Sequence, residues 1–579
     1  MILQSLVDYY ETQEKAGRAV RQGWGETKVS YALCIDERGR LKQVATMKTK
    51  RADGKEGCSP RLMELPMPVK RTLGIAPNFL WDNASYLLGA DNRGRPQRSR
   101  ACFAASRALH EQILQAAACP AAAALLAFFE QWEPEKALQH PALQERGCSI
   151  LSGVNLVFWH NGRFLQENEE IRQAWQRYYD TSRSGTRTLC LVTGERDAVQ
   201  PVHPAVKGVE GAQPSGAALV SFNAPAFCSY GREQSLNAPV GRYAAFAYTT
   251  ALNLLLADKE HLCQLGDTTL LCWARSGESA YQDLFLGLLA GKNKTASFPL
   301  QKAAKALCGG KEAAYGAARL RPDMGFTLLA LSPNASRLSV RFFGQNTFSR
   351  FLRNLQAHQQ RLHLLCFSKE EEPLFLPELL EEAAGKSSRE RPLSPEMAGE
   401  TLQAVLCDAC YPVSLLHGVM RRIRAERRTG RARAAMIKAY YLKNPHPDVP
   451  KEVLTVSLNT ESTSIPYTLG RLFCELEGIQ HAASPGAKST IRDKYFTCAS
   501  TTPGQVFPLL VNRAQRQLSL LEGEMRSQYD RQLSELADRL GEGYPARMNL
   551  PQQGAFQLGY YHQAQARRQK RGEGNGAAD

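Results

Sequence analysis

The spacing of apolar residues changes along this chain, and that change sets the fold class. In the first two thirds, short alternating runs typical of β-strands are interspersed with Ala- and Leu-rich helical stretches such as 243–256. In the last third, apolar residues recur at helical intervals, as in the series Leu415, Leu416, Val419, Ile423. The chain is therefore predicted to be α+β, with a large mixed α/β N-terminal domain followed by an all-α C-terminal helical bundle.

Several strands can be placed from the pattern. Residues 28–36 alternate apolar and polar side chains, and a turn-like ERGR sequence separates them from a second run that starts at Leu41. This arrangement predicts a β-hairpin. Further short strands are predicted in four places: 189–192, 217–222, 326–331 and 338–343.

A composition change marks the predicted domain boundary. Between residues 369 and 400, nine acidic residues stand against four basic ones, and four prolines interrupt the segment. We therefore divide the chain into a mixed N-terminal domain at 1–368, an acidic linker at 369–400 and a helical bundle at 401–579.

The net charge favours a polyanionic partner. The chain has 72 Lys plus Arg and 56 Asp plus Glu, a formal charge of +16. Residues 401–579 hold 24 of these basic residues and 16 of the acidic ones. Nucleic acid is therefore the first partner to test.

The sequence also indicates a compartment. The longest near-apolar stretch, 116–129, is interrupted by Pro120 and is shorter than the ~18 residues that a membrane span needs. Asp8 and Glu11 are not typical of a secretory signal. The chain has 15 cysteines, an odd number without a disulfide-like framework. We expect a cytoplasmic protein with reduced thiols and no membrane partner.

The densest basic run has seven arginines and one acidic residue between positions 421 and 433. At about 100° per residue, four of them would share one stripe of a helix: Arg421, Arg424, Arg428 and Arg431. Such a stripe can follow a phosphate backbone, and it lacks the alternating charge of an ordinary solvated helix face, which is the alternative. Gly430 is a possible early end of this helix.

Two further segments are candidates for contacting DNA. A loop-like segment at 47–61 carries glycines and four basic residues, Lys48, Lys50, Arg51 and Lys55, although an ordinary surface loop explains the same composition. The segment 78–86 mixes aromatic residues with amides. Asn78 and Asn83 can read base edges, whereas its aromatic residues, Phe79 and Trp81, are typical of a core.

Residues 221–241 crowd amide side chains into a turn-rich segment: Asn223, Gln234 and Asn237. Such a segment either binds a ligand or a partner subunit, or is a connection whose amides bond its own backbone. The composition leaves both interpretations open.

Enzyme motifs are incomplete. Residues 287–292 place three residues between two glycines where a phosphate loop needs four, and Cys407 with Cys410 is a solitary pair without further zinc ligands. Arg353 and His358 resemble the signature of metal-independent RNases, in which the histidine transfers protons and the arginine stabilises the phosphorane. We expect a non-enzymatic protein without metal or cofactor, and keep this RNase as an alternative beside a purely structural interaction scaffold.

Seven segments in order along the whole chain resemble one family, the Csd-type large subunit of the type I-C CRISPR surveillance complex, Cascade. They are MILQSLVDYYE at the start, PNFLWDN at 77–83, the segment 221–241, residues 329–342, AMIKAYYL at 435–442, STIRDKYF at 489–496 and GAFQLGYYHQ at 554–563.

This resemblance implies an antiviral subunit without enzymatic activity in the bacterial cytoplasm. Its N-terminal domain would recognise the protospacer-adjacent motif in double-stranded DNA, aid unwinding and contact the crRNA 5′ end. The candidates for contacting base edges or the crRNA are Asn223, Gln234 and Asn237. Its C-terminal bundle resembles the Cascade small subunit, which lines the displaced strand of the R-loop. The implied partners are crRNA, target DNA, the backbone and crRNA-processing subunits, and a helicase-nuclease recruited after target binding. A separate small subunit would be translated from an internal start at Met436 or Met420.

Overall fold

The structure is a computed structural model. It describes residues 1–579 except 48, 51–57, 70, 72–73, 93, 116, 145–146, 182–184, 293–296, 368–372, 385–392, 488, 542 and 577–579. Contacts divide the chain into two compact units. Unit 1 comprises Met1, Leu3–Pro204 and Ser221–Ala251, and unit 2 comprises Ile2, Ala205–Val220 and Leu252–Asp579.

Unit 1 mixes strands and helices. Its elements are α1 (Ile2–Lys15), β1 (Trp24–Val29), β2 (Tyr31–Ile35), β3 (Leu41–Thr46), β4 (Thr49–Lys50), β5 (Cys58–Ser59), β6 (Arg61–Pro66), β7 (Trp81–Asp82), α2 (Ala84–Leu87), α3 (Pro96–Leu114), α4 (Pro120–Gln131), α5 (Pro141–Gln144), α6 (Gly147–Ile150), β8 (Leu156–His160), β9 (Arg163–Phe164), α7 (Glu169–Thr181), β10 (Arg187–Leu189), β11 (Arg196–Ala198) and the first part of α8 (Arg242–Ala257).

The main sheet of unit 1 has the strand order β3-β2-β8-β7, with β9 paired to β8. Strands β2 and β3 pair antiparallel, which confirms the predicted hairpin, and β2 pairs parallel with β8. All residues of β2 are buried. Helix α4 covers this sheet, with the rings of Phe128 and Phe129 lying 5.3 and 5.9 Å from the ring of Phe158 in β8.

Unit 2 begins with a sheet and continues as helices. Its elements are the end of α8, β12 (Cys263–Leu265), β13 (Thr268–Ala274), α9 (Ala280–Ala290), α10 (Ser297–Cys308), β14 (Ala313–Tyr315), β15 (Ala318–Leu320), β16 (Gly325–Asn334), β17 (Arg337–Thr347), α11 (Phe348–Leu362), α12 (Leu376–Ala384), α13 (Pro395–Leu406), α14 (Val413–Glu426), α15 (Arg431–Lys443), α16 (Ile465–Ala483), α17 (Ile491–Thr501), α18 (Pro503–Leu518), α19 (Gly523–Leu540) and α20 (Leu550–Gly576).

The sheet of unit 2 has the order β12-β13-β16-β17 and is antiparallel throughout. Strands β16 and β17 confirm the predictions at 326–331 and 338–343, and α8 confirms the helix predicted at 243–256. The strand predicted at 217–222 is wrong, because Ala217 and Ala218 form only isolated bridges. The strand predicted at 189–192 ends at Leu189 as part of β10.

Helices α17, α18, α19 and α20 of unit 2 pack against α16, which is buried at residues 467–476 and 478–480. A Cβ atom on Gly470 of α16 or Gly559 of α20 would fall inside van der Waals contact with the backbone of the opposite helix, so the two helices approach at their glycines. Glu475 of α16 is fully buried, and Gln563 of α20 donates to its Oε1 at 2.7 Å. This helical C-terminal part, together with the sheets before it, confirms the predicted α+β class.

The predicted linker contains regular structure where it is described. Helix α12 and the start of α13 lie in it, and Leu376, Leu379 and Leu380 are buried in the core of unit 2. The division into functional domains at 1–368, 369–400 and 401–579 stays a prediction. Among the residues that the structure describes, no helix is both long and apolar enough to cross a bilayer.

Candidate nucleic-acid interface

The predicted basic loop near the N-terminus lies largely outside the described residues. Lys48, Arg51 and Lys55 belong to this undescribed part. Lys50 ends β4, where its backbone pairs with Cys58 of β5, and its side chain is not described. DNA binding by these four residues therefore stays a prediction.

The segment around Asn78 and Asn83 is held together by a buried carboxylate. Asp82 is 1% exposed and accepts the backbone N–H groups of Asn78 and Asn83 at 2.9 and 2.8 Å. Its other partner is Arg71, which donates from both terminal nitrogens and whose guanidinium lies 4.1 Å from the ring centroid of Tyr86. Burial raises the pKa of Asp82, and Arg71 opposes that rise by favouring the charged form.

Both predicted base readers in this segment are engaged in local structure. Asn78 is 4% exposed, and its Oδ1 accepts the N–H of Val69 at 2.9 Å. Asn83 is the N-cap of α2, and its Oδ1 accepts the N–H of Ser85 at 3.0 Å. Their oxygens hold the backbone, as capping amides commonly do. Base reading by either residue stays a prediction.

The aromatic residues between them lie in the core, as the composition favours. Phe79 stacks on Trp175 at 5.3 Å and packs against His110 at 5.0 Å. Leu80 is fully buried with φ +65°, a backbone conformation that is costly for a branched residue, and its N–H donates to His110 Nε2 at 2.9 Å. No sequence pattern indicates this contact.

The segment 221–241 forms a tight loop around one amide. The side chain of Asn237 accepts the N–H of Ser229 at 2.8 Å and donates to the carbonyls of Arg232 and Gln234 at 2.9 Å each. Asn237 thus bonds its own backbone, whereas Gln234 and Asn223 are exposed. Tyr230, at the tip of this loop, is 99% exposed. Only its position before Gly231 in a turn-rich sequence could have indicated that exposure.

The predicted single arginine stripe is wrong. Helix α14 ends at Glu426, Arg427 follows with φ +52°, and Gly430 caps a new helix that begins at Arg431. Arg421 and Arg424 share α14, while Arg428 lies in the connection and Arg431 in α15. A left-handed residue ends an α-helix, so the four side chains cannot follow one helix axis.

The arginines of this run differ in exposure and in what they contact. Arg433 is 4% exposed and bridges Glu382 and Glu426 at 2.8 and 2.5 Å, so it holds the fold. Arg421 and Arg428 are exposed and remain accessible to phosphate.

Two other arginines of the run contact protein groups. Arg424 is exposed but donates to Gln553 of α20 at 2.5 Å. Arg422 pairs with Glu426. The run therefore combines structural and exposed cations, a distinction that composition does not make.

The two residues of the predicted RNase site, Arg353 and His358, do not lie together in the structure. His358 is 3% exposed, its Nδ1 lies 2.6 Å from Tyr411 Oη, and burial lowers its pKa to about 3. Arg353 is exposed, on a different side of α11. Residues 287–290 lie within α9, so they do not form a phosphate loop. In the described part of the chain, no cluster of three or more His, Cys, Asp or Glu residues could hold a metal ion.

A comparison with models of protein families finds a match for this chain. The model of a family described as CRISPR-associated protein (Cas_Csd1) matches residues 6–568. No curated protein matches the sequence.

Proposed function

The chain belongs to the Cas_Csd1 family of CRISPR-associated proteins, and on this premise we propose that it is the large subunit of a type I-C Cascade complex. In this role it recognises the protospacer-adjacent motif in duplex DNA, aids unwinding and stabilises the R-loop. It binds crRNA together with the backbone and crRNA-processing subunits, and it receives the helicase-nuclease. It carries out no catalytic step and works in the bacterial cytoplasm.

The observation that carries this proposal is the extent of the family match. Residues 6–568 include nearly the whole of both compact units, so the membership concerns the complete arrangement of sheets and helices rather than one shared module. The CRISPR-associated role follows from the family itself.

Charge supports the DNA-binding part of the proposal. Arg421 and Arg428 are exposed beside the structural Arg433, at a place where the chain concentrates basic residues. Exposed guanidinium groups bind phosphates without reading sequence, which suits a protein whose sequence specificity comes from a guide RNA.

The RNase alternative has weak support. A general acid–base histidine must reach its substrate and change its protonation near neutral pH. His358 is buried against Tyr411 and has a pKa of about 3, so it suits a structural role. The interaction-scaffold alternative leaves the exposed arginines without a role in nucleic-acid binding.

One experiment tests the proposal directly. A reconstituted complex with crRNA is titrated with duplexes that differ only in the base pairs flanking the target. We expect binding to depend on those base pairs and to be lost when this subunit is omitted. Equal affinity for all flanking sequences would refute motif recognition, and unchanged binding without the subunit would refute the DNA-binding role.

An internal start is a further part of the proposal. Met436 lies within α15 and Met420 within α14, and both side chains are buried in unit 2. A small subunit that starts at Met436 would lack Arg433 and its ion pairs with Glu382 and Glu426. A blot against a C-terminal tag distinguishes the two products by length, and the absence of both would refute the idea.

A further inference from the structure

Unit 1 contains an open groove that none of the functions above uses. Its volume is about 370 Å³, within the range of about 300–1,000 Å³ typical of ligand sites. It lies between the turn that joins β2 to β3 and the end of α4. The lining residues are Gly39, Arg40, Leu41, Lys42, Gln131, Trp132, Glu133, Lys136 and His140.

The wall of the groove is pre-formed. The carboxylate of Asp36 accepts the N–H groups of Arg38 and Arg40 at 3.0 and 2.8 Å, which closes the turn. Gly39 has φ +73°, and a Cβ there would lie 2.6 Å from the carbonyl oxygen of Ala124, so the turn packs directly on the backbone of α4. Gln131 fixes the same contact by donating to the Arg38 carbonyl at 2.6 Å.

One side of the groove is aromatic. The rings of Trp132 and His140 lie 5.3 Å apart, and Trp132 Nε1 donates to the carbonyl of Leu88 at 3.0 Å, which fixes the orientation of the indole. His140 Nδ1 accepts the N–H of Ala142 at 3.3 Å. Burial lowers the pKa of His140, which favours the neutral form of its ring. Flat, uncharged rings of this kind stack on nucleobases.

The other side of the groove is basic. Arg40, Lys42 and Lys136 stand against one lining acid, Glu133. Lys42 pairs with Asp36 at 3.2 Å and Lys136 with Glu133 at 2.6 Å, but their side chains are 62% and 69% exposed. Such exposed pairs contribute little free energy, so both ammonium groups can turn to a phosphate at small cost.

From this combination we infer that the groove binds an unpaired nucleotide of a single-stranded nucleic acid. The base stacks on the surface of Trp132 and His140, and Arg40, Lys42 and Lys136 contact the flanking phosphates. Stacking requires a base that is free of its neighbours, which a single strand provides and a duplex does not. The inference rests on the proposed function, since it assigns part of the nucleic-acid binding to a specific place in unit 1.

The test uses the assembled complex and a fluorescein-labelled single strand of twelve nucleotides, with RNA and DNA as separate arms. One variant replaces the cations: Arg40→Gln, Lys42→Gln and Lys136→Gln. A second, His140→Leu, keeps the bulk of the side chain but removes the aromatic ring. Anisotropy is measured between about 50 and 200 mM salt, a range over which phosphate contacts change affinity strongly. The arm that responds identifies the kind of strand.

We expect the charge variant to lower the slope of log affinity against log salt by about two, because each lost phosphate contact on a single strand removes about 0.7. We expect His140→Leu to weaken binding about tenfold. The matched control is Lys15→Gln, Arg18→Gln and Arg21→Gln, which removes the same charge from exposed residues outside the groove.

If both groove variants bind both strands as the control does, the inference is overturned while the proposed function stands. If the unmodified complex binds no nucleic acid at all, the proposed function fails as well.

Discussion

The backbone N–H of Leu80 donates a hydrogen bond to Nε2 of His110, which is 2.9 Å away. The opposite ring nitrogen, Nδ1, lies 2.7 Å from the carbonyl of Ser106, so the hydrogen of the neutral ring is on Nδ1. One buried histidine thus satisfies the amide of a residue in the left-handed region and fixes the bend between Asn78 and Asp82. This contact works only while the ring is neutral.

The stability of unit 1 is therefore expected to depend on pH. Burial lowers the pKa of His110 to about 4, from 6.5 in an unfolded chain. The neutral ring stabilises the fold fully above pH 6.5, and this contribution is lost as the pH falls toward 4, by at most about 1.4 kcal/mol per pH unit. Replacing the residue with a neutral side chain, His110→Gln, should make the loss between pH 7 and 4.5 smaller.

Hydrogen exchange in urea, read on peptides of unit 1, measures this difference. The exposed His481 provides the control, since His481→Gln should leave the pH dependence unchanged. If the stability of unit 1 depends on pH equally in the wild type and in His110→Gln, protonation of His110 is not the cause of the loss.

The buried side chain of Asp82 should contribute more to the stability of unit 1 than its partner Arg71. Asp82→Ala removes the acceptor of two backbone N–H groups and of Arg71, so we expect it to destabilise unit 1 by about 3 kcal/mol. Arg71→Ala should cost only about 1 kcal/mol more than an ordinary surface change, because Arg71 is exposed and Asp82 keeps its other donors. Urea unfolding measures both, and equal costs would show that the ion pair alone stabilises the segment.

Alanine should be destabilising at Gly470 and at Gly559, the two glycines where α16 and α20 cross. Gly470→Ala or Gly559→Ala would push a Cβ into the backbone of the opposite helix, which should destabilise unit 2 by about 3 kcal/mol. Gly486→Ala is the control: a Cβ there has open space, so its effect should stay within about 0.5 kcal/mol. Thermal unfolding followed by circular dichroism measures the change. A helix crossing that accepts alanine at either glycine would argue against this close approach.

The exposed arginines should set part of the salt dependence of target binding. In the assembled complex, Arg421→Gln with Arg428→Gln should flatten the slope of log affinity against log salt by about two, since each phosphate contact on duplex DNA contributes about 0.9. Lys311→Gln with Arg319→Gln removes the same charge from exposed residues elsewhere in unit 2. If the two double variants give the same slope, the arginines contribute only general charge.

Much of the fold follows from periodicity. The hairpin of β2 and β3 and the pair β16 and β17 are visible as short apolar runs separated by turn residues, and helices such as α8 are visible as Ala- and Leu-rich stretches. Such signals are local, because side chains alternate or repeat within one element. The α+β class is predictable for the same reason.

The details of the candidate site are not local and could not be predicted. The arginine run reads as one helix by composition, but Arg427 takes a left-handed conformation and Arg433 turns inward to Glu382, which is 51 positions earlier in the chain. Asp82 pairs with Arg71, 11 positions away, and Leu80 bonds to His110, 30 positions away, so no local pattern indicates either contact. Only an arginine with an exposed side chain can bind phosphate, and the exposure of a side chain depends on tertiary packing.

The buried carboxylate of Glu475 has a practical consequence for anyone preparing this protein. Its partner Gln563 and the nearby Arg567, whose Nη1 donates to the Cys474 carbonyl at 2.9 Å, both lie in α20. A recombinant version trimmed before Gln563 would deprive the buried carboxyl group of Glu475 of this hydrogen-bond donor. Expression designs should therefore keep α20 at least through Arg567, and an affinity tag belongs beyond it.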